Sequence, residues 1–173
     1  MITIRKATKH HVPFIAEISL TSATAEQLEG FVLQGAFNPY DSAENLRRCW
    51  GCRFVEPSGK EWFVPRYGLI VAERLGKVVG FASYLHEREK TQIDELDVGR
   101  EFQGRGIGRA LVRYIEGTAR RRNKKKVITG TAINAHGRRW KAFDFWVHLG
   151  FEEAGEIRAR HGIRHVKLVK HLK

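Results

Sequence analysis

The stretch ELDVGREFQGRGIGRALV, residues 95–112, decides the fold class of this chain. Its pattern predicts a strand that ends at Val98, a glycine-rich loop, and an amphipathic helix that begins near Ile107. Glycine lets the main chain approach an anion without a Cβ clash, and the unpaired N–H groups of a first helical turn favour negative charge there. Spaced glycines alone are weak evidence, because glycine turns also end strands for steric reasons. Together with the flanking strand and helix, they predict a phosphate-binding loop.

Two familiar phosphate-binding motifs do not fit the glycines at positions 104, 106 and 108. A Walker loop needs Lys and then Ser or Thr after its last glycine, and neither follows Gly108. A dinucleotide-binding fingerprint needs the spacing GxGxxG inside a parallel βαβ unit, whereas this loop follows strands joined by short turns. The loop therefore belongs to neither class.

The rest of the chain is predicted to form one domain, residues 1–173, because its length and its 42% hydrophobic content suffice for a single core. Strands are expected near residues 2–7, 67–74, 78–88, 91–98, 126–133, 151–158 and 164–172, and helices near 12–20, 25–37, 42–50, 107–121 and 139–149. Short turns between residues 67 and 98 predict an antiparallel meander. Prolines and a glycine mark residues 51–66 as a loop.

The order of these elements and one motif resemble the GNAT superfamily of N-acetyltransferases. The pyrophosphate-binding signature of that family is Gln/Arg-x-x-Gly-x-Gly/Ala, and Gln103, Gly106 and Gly108 match it here. Three further segments look like the same family in the same order, namely ITIRKAT (2–8), VITGTAI (127–133) and FWVHLGF (145–151). The resemblance covers nearly the whole chain and implies an α+β (mixed α/β) fold, in which helices flank a central, mostly antiparallel, splayed sheet.

The resemblance also implies where acetyl-CoA, the co-substrate of the family, would bind. In the family the pantetheine arm pairs with main chain that is exposed where the sheet splays, and here Leu96, Asp97 and Val98 occupy that place. The resemblance implies that the pyrophosphate is bound by the loop and the first helical turn, namely Gln103, Gly104, Arg105, Gly106, Ile107, Gly108 and Arg109. Asn134 resembles an Asn that contacts the cofactor in the family, but an apparent insertion separates it from the following helix.

Acetyl transfer from a thioester to an amine needs a base, a donor to the oxyanion and an acid for the departing thiolate. The strand TQIDELDV (91–98) offers Asp94, Glu95 and Asp97 as bases. Glu95 is preferred because it precedes the main chain expected to pair with the cofactor, although the same acids could form a solvated strand face. The family implies that a main-chain N–H near Val98 meets the oxyanion.

The general acid is where the sequence departs from the family. GNAT chains often end in Tyr-x-x-x-Gly-Phe, whose hydroxyl protonates the thiolate, but Trp146 stands at the tyrosine position here. An indole N–H is far too weak an acid for this step. Tyr84, His148 or solvent could take the role instead, and Phe143, Trp146 and Val147 are also spaced as core residues of a helix.

The net charge of +12 is unevenly placed along the chain. Residues 1–99 hold 12 Lys and Arg against 13 Asp and Glu, whereas residues 100–173 hold 19 against 6. Such a field favours polyanionic partners, which include both nucleic acid and a small ligand with several phosphates. The run RRRNKKK (120–126) at the expected end of a helix is interpreted as a solvated face, since cations there complement the helix dipole.

Several other classes are not favoured by the sequence. No metal site is predicted, since Cys49 and Cys52 form a single CxxC and the histidines lack ligand spacing. A redox pair and half of a zinc site are the alternatives to two small core residues. No run of apolar residues is long enough to span a membrane, and the N-terminus lacks the layout of a signal peptide, so a cytoplasmic protein without membrane association is expected.

The predicted function is therefore transfer of an acetyl group from acetyl-CoA to a primary amine of a small molecule or protein, by direct attack. Two alternatives stay open: acetylation of an aminoacyl-tRNA or another nucleic-acid-borne amine, and non-catalytic binding of CoA or nucleic acid. A homodimer is a further expectation that the sequence leaves open.

Overall fold

The computed structural model describes residues 1–22, 67–133, 142–158 and 164–173. The helices expected at 25–37 and 42–50, the loop expected at 51–66, and the residues Cys49, Cys52 and Asn134 lie outside these ranges. Within them, the chain forms seven strands and three α-helices, together with two short 3-10 turns.

The observed elements follow the predicted order. Strands β1 to β7 are Thr3–Lys6, Tyr67–Arg74, Lys77–His86, Lys90–Val98, Lys126–Ala132, Glu152–Arg158 and Arg164–His171. Helices α1 to α3 are Val12–Ser22, Ile107–Arg121 and Ala142–His148, and the 3-10 turns are Lys9–His11 and Arg100–Phe102. Helix α3 was expected from residue 139, but the three residues before Ala142 lie outside the described ranges. It ends as predicted before Gly150, which adopts the left-handed conformation (φ +82°) that favours glycine after a helix.

The strands form a single sheet in the order β1-β2-β3-β4-β5-β7-β6. All neighbours pair antiparallel except β4 and β5, which are parallel. The predicted antiparallel meander is β2, β3 and β4, and the mixed α/β fold with a mostly antiparallel sheet is confirmed.

Helices α1 and α2 pack against different sets of core residues on the sheet. Helix α2 buries the stripe Ile107, Leu111, Val112, Ile115 and Ala119 in the larger cluster, which includes Trp146 and Phe151. Helix α1 packs Ile15 and its neighbours against Val71 and Phe81 in a second cluster. Burial of a side chain of this size stabilises the fold by about 1.5–3 kcal/mol, so the apolar stripe holds α2, and with it the loop before it, in place.

The parallel pair β4 and β5 separates after three residue pairs. The pairs are Lys90 with Lys126, Thr91 with Val127, and Gln92 with Ile128. At the point of separation the Thr129 hydroxyl donates a hydrogen bond to the Ile93 carbonyl oxygen (3.2 Å). Beyond it, β4 runs on to Val98 while β5 pairs with β7 up to Ala132, so the sheet is splayed as the resemblance implied.

Candidate active site

The glycine-rich loop forms an exposed cradle at the N-terminus of α2. Gly104 and Gly106 have φ angles of +72° and +80°, a conformation that costs an L-residue about 1–2 kcal/mol. No described atom lies within 4 Å of the Cβ that either residue lacks. Gly106 is the N-cap of α2 and has no side chain that could accept hydrogen bonds from the N–H groups of the first turn.

Gly108 differs from Gly104 and Gly106, because side chains of β4 and α3 pack closely against it. A Cβ at this position would lie 3.1 Å from the Phe145 ring and 3.5 Å from Leu96 Cδ2. The absence of a side chain therefore lets the start of α2 approach both β4 and α3. Phe145 was not singled out from the sequence, since no local signal links a residue on α3 to a glycine so far earlier in the chain.

The main chain of β4 presents polar groups to the open edge of the splay at alternate residues. The Gly99 N–H bonds to the Val79 carbonyl oxygen (3.0 Å), and Val98, Asp97 and Leu96 lie opposite Gly80, Phe81 and Ala82 of β3. Because bonded and non-bonded pairs alternate in an antiparallel ladder, the N–H and C=O groups of Val98 and Leu96 point away from β3. Those of Asp97 point toward it. Of the three residues expected to pair with the pantetheine arm, only Leu96 and Val98 therefore present main-chain groups to the open edge.

The Gln103 side chain links the loop to this edge. Its amide donates a hydrogen bond to the Val98 carbonyl oxygen (3.1 Å). The glutamine of the predicted signature therefore fixes the cradle relative to the strand, and it leaves the Val98 N–H to other acceptors.

The acids of β4 divide between the two sides of the sheet and a bulge. Glu95 and Asp97 lie opposite Ser83 and Phe81 on the side that packs against α1, whereas Asp94 is the extra residue of a β-bulge and is exposed. Strand alternation thus places Glu95 and Asp97, two of the three candidate bases, on one face, and the open main chain of Leu96 and Val98 lies between and beside them.

Asp97 carries a perturbed carboxyl group. Burial raises its pKa from 3.8 to about 6, and a hydrogen bond from the Ser22 hydroxyl, at the end of α1, opposes this rise. A carboxyl with a pKa near 6 can both accept and release a proton at neutral pH. Ser22 was not recognised from the sequence, because its contact with β4 exists only once α1 has packed on the sheet.

Tyr84 lies on the side of β3 that packs against α2, away from the cradle. Its ring covers Gly68, where a Cβ would lie 2.2 Å from Tyr84 Cζ, and its hydroxyl hydrogen-bonds to the Thr118 side chain. Burial raises the pKa of Tyr84 above its ordinary value. Thr118 is three helical turns beyond Ile107, about 16 Å along α2, so the structure does not bring this predicted acid to the cradle.

Trp146 packs in the core rather than facing a site. It is 5% exposed, and its ring meets Phe145 and Phe151 edge to face, with centroids 5.0 and 5.1 Å apart. Val147, which shared the core prediction, is 44% exposed, so that part of the prediction is wrong. His148 is exposed at the end of α3, where its Nδ1 lies 2.6 Å from the Asp144 carbonyl oxygen.

A splayed strand beside a glycine-rich helix N-terminus is the geometry that the resemblance implied, and comparison with known families decides the identity. The model of the acetyltransferase (GNAT) family matches residues 33–151. The chain belongs to the GNAT family. Acetyl-CoA is the co-substrate of GNAT acetyltransferases, so this prediction is confirmed at the level of the family.

Individual GNAT relatives are distant. The chain is 28% identical over 150 residues to an uncharacterized N-acetyltransferase of Methanocaldococcus jannaschii, which covers 80% of this chain. The chain spans only 62% of that relative's length. Because that relative is itself uncharacterized, it does not identify the acetyl acceptor of this chain.

Two solved structures illustrate the shared fold. The ribosomal-protein-S18-alanine N-acetyltransferase of Escherichia coli has a TM-score of 0.65 at 18% identity, covering 100% of this chain and 95% of that chain. The yncA structure of Salmonella typhimurium, solved with its cofactor acetyl-CoA, has a TM-score of 0.65 at 21% identity, covering 99% and 94%. At these identities the likeness shows the GNAT fold.

None of the helices in the described ranges is long and apolar enough to cross a membrane. Among the same residues, no group of three or more His, Cys, Asp and Glu side chains could hold a metal ion.

Proposed function

We propose that this GNAT chain transfers an acetyl group from acetyl-CoA to a primary amine of a small molecule or protein, by direct attack of the amine. The observation that carries the proposal is the open main chain of Leu96 and Val98, which lies between the cradle and the acids of β4. Acetyl-CoA supplies the activated acetyl thioester. Residues 1–173 form one catalytic domain in this proposal, and a homodimer is compatible with it.

The cradle fits a pyrophosphate. Gly104 and Gly106 leave space above the main chain, and the N–H groups of residues that begin α2 carry no side-chain cap. Arg105 and Arg109 are exposed on the same turn and add positive charge, which the helix dipole reinforces. We assign the phosphates to this turn, with Ile107 and Gly108 contributing main-chain N–H groups, and Asn134 stays a prediction outside the described residues.

The acids of β4 supply the proton transfer. Glu95 accepts a proton from the acceptor ammonium, so that the neutral nitrogen can attack the thioester carbonyl. The new C–N bond forms, the C–S bond breaks, and the nitrogen loses its second proton to solvent. The Val98 N–H is assigned to the acetyl oxygen, because its direction along the open edge allows a hydrogen bond there. Asp97, on the same side of the sheet as Glu95, is the alternative base.

Solvent protonates the departing thiolate in this proposal. Tyr84 is packed against Gly68 and Thr118, and Trp146 is buried among aromatic rings. His148 is exposed and remains the side-chain alternative.

The test is the release of CoA thiol, measured with a chromogenic disulfide, across a panel of amines and peptides. Glu95→Gln should lower kcat by about one to three decades while the affinity for acetyl-CoA stays nearly unchanged, which is the pattern of a lost base. Asp144→Asn, which removes an exposed carboxylate on α3 and not on β4, is the control. An unchanged rate in Glu95→Gln would refute the assignment and move the role to Asp94 or Asp97.

Two other outcomes would point to the alternative functions. Binding of acetyl-CoA without turnover on any amine would indicate a non-catalytic CoA-binding protein. Turnover only with an aminoacyl-tRNA would indicate a nucleic-acid-borne acceptor.

A further inference from the structure

Cations from two connections meet at the end of the molecule opposite the cradle. The group comprises Arg88 of the β3–β4 turn and the residues where α2 ends and β5 begins, namely Arg121, Arg122, Lys124, Lys125 and Lys126. We call it the basic end. The Lys124 ammonium donates to the Arg88 carbonyl oxygen (3.2 Å), and the Lys125 N–H donates to the Glu89 carbonyl oxygen (2.8 Å). These bonds hold the two connections together as one surface.

Most of this positive charge is not neutralised within the protein. The Lys125 ammonium pairs with the Glu89 carboxylate at 2.7 Å. Among the described residues, the other members of the basic end have no carboxylate at ion-pair distance, and Arg121 and Arg122 are exposed. Cations packed this closely repel one another unless an anion lies between them.

A neighbouring histidine responds to this field. His86, at the end of β3, bonds through Nδ1 to the Thr91 hydroxyl (2.8 Å). Burial, together with the charges of Arg122 and Lys124, lowers the pKa of His86 to about 4. The positive potential therefore extends from the surface to a partly buried group.

The cofactor does not account for the basic end. Helix α2 has 15 residues, so about 22 Å separates the cradle at its N-terminus from Arg121 at its C-terminus. Arg105 and Arg109 already lie at the cradle. The sequence left open whether the positive charge of residues 100–173 serves the cofactor. The structure places the basic end at the C-terminus of α2, far from the cradle.

We propose that the basic end is a docking surface for the phosphate backbone of a nucleic acid. Long cationic side chains that are exposed or partly exposed and spread over two connections match a chain of regularly spaced phosphates better than one small anion, which needs donors converging on a point. The basic end lies beside the start of β4 at Lys90, whereas Glu95 and Asp97 lie in the second half of that strand, so the docking surface is separate from the proposed site of acetyl transfer. The proposal does not depend on the proposed acetyl transfer.

The experiment is fluorescence anisotropy of a labelled RNA hairpin, and of the same sequence as DNA, titrated with the full chain. Neutralising about four or five phosphates predicts a log–log salt slope of about −3 to −4, which is roughly a hundredfold loss of affinity between about 50 and 200 mM salt. The double variant Arg121→Glu and Arg122→Glu should weaken binding at least tenfold and flatten the slope by about 2.

The matched control is Arg74→Glu with Lys77→Glu, the same charge change at the β2–β3 turn, toward the other end of the sheet. It should bind RNA like the parent, and the Arg121→Glu and Arg122→Glu double variant should keep the parent's affinity for acetyl-CoA. If a variant fails to fold, Arg122→Gln alone should still flatten the slope by about 1. Equal loss in the control, no binding of RNA or DNA near 50 mM salt, or binding only to anionic vesicles would overturn the proposal.

Discussion

The replacement Asp97→Asn should stabilise the protein at neutral pH. Burial holds the folded-state pKa of Asp97 at about 6, above the 3.8 of an ordinary aspartate. Between these values the folded chain binds more protons than the unfolded chain, so the free energy of unfolding falls as pH rises through this window. The difference between the two pKa values lowers the free energy of unfolding by about 3 kcal/mol at a pH where the carboxyl is ionised in both the folded and the unfolded state.

The asparagine side chain of this variant carries no charge, so the free-energy cost of burying an ionised carboxylate is absent. Its amide oxygen can still accept a hydrogen bond from Ser22. We expect a gain of about 1–3 kcal/mol near pH 7 and no gain near pH 4, where the parent carboxyl is protonated in the fold. The measurement is urea unfolding, followed by tryptophan fluorescence, at several pH values in this range.

The control is Asp144→Asn, which removes an exposed carboxylate on α3 and should change stability by less than about 0.5 kcal/mol at every pH. A difference between Asp97→Asn and the parent that stays constant with pH would refute the reasoning, since it would show that the fold does not raise the pKa of this carboxyl.

Two further predictions concern the cradle and the buried indole. Gly106→Asp should weaken acetyl-CoA binding by about tenfold or more, measured by calorimetry, because it adds a like charge at the phosphate position. Gly76→Asp is the control, since Gly76 (φ +75°, no described neighbour within 4 Å) lies on the β2–β3 turn outside the cradle, and this variant should lose much less affinity. Equal binding by both variants would show that the cradle is misplaced. Trp146→Phe should keep most of the activity, and Trp146→Tyr should change kcat by less than about tenfold, or 1.4 kcal/mol of barrier, because the site lies in an aromatic core. A larger gain in Trp146→Tyr, with a new alkaline limb in the pH profile, would show that thiolate protonation limits the rate.

The sequence of this chain by itself determined the elements and the cradle. Alternating apolar residues, an amphipathic stripe and glycines before Ile107 are local patterns, and local patterns carry the conformational preferences of the residues that show them. The bounds of β2 to β4 and of α2 could therefore be predicted closely, and the motif around Gly106 pointed to the correct family.

The tertiary structure decided which side chains meet. Whether Tyr84 faces the cradle or the far end of α2 depends on the register of β3 against β4, which includes a bulge that no short pattern reveals. The alternation of main-chain hydrogen bonds selects Leu96 and Val98 over Asp97 for the open edge, and the packing of α1 buries the Asp97 carboxyl beside Ser22. The basic run at residues 120–126 was interpreted from the sequence as a solvated helix end. Only the contact between the α2–β5 connection and the β3–β4 turn makes it part of one surface with Arg88. In each case the physical reason is the same, because burial and charge at a residue are set by neighbours distant in the chain, which no local pattern contains.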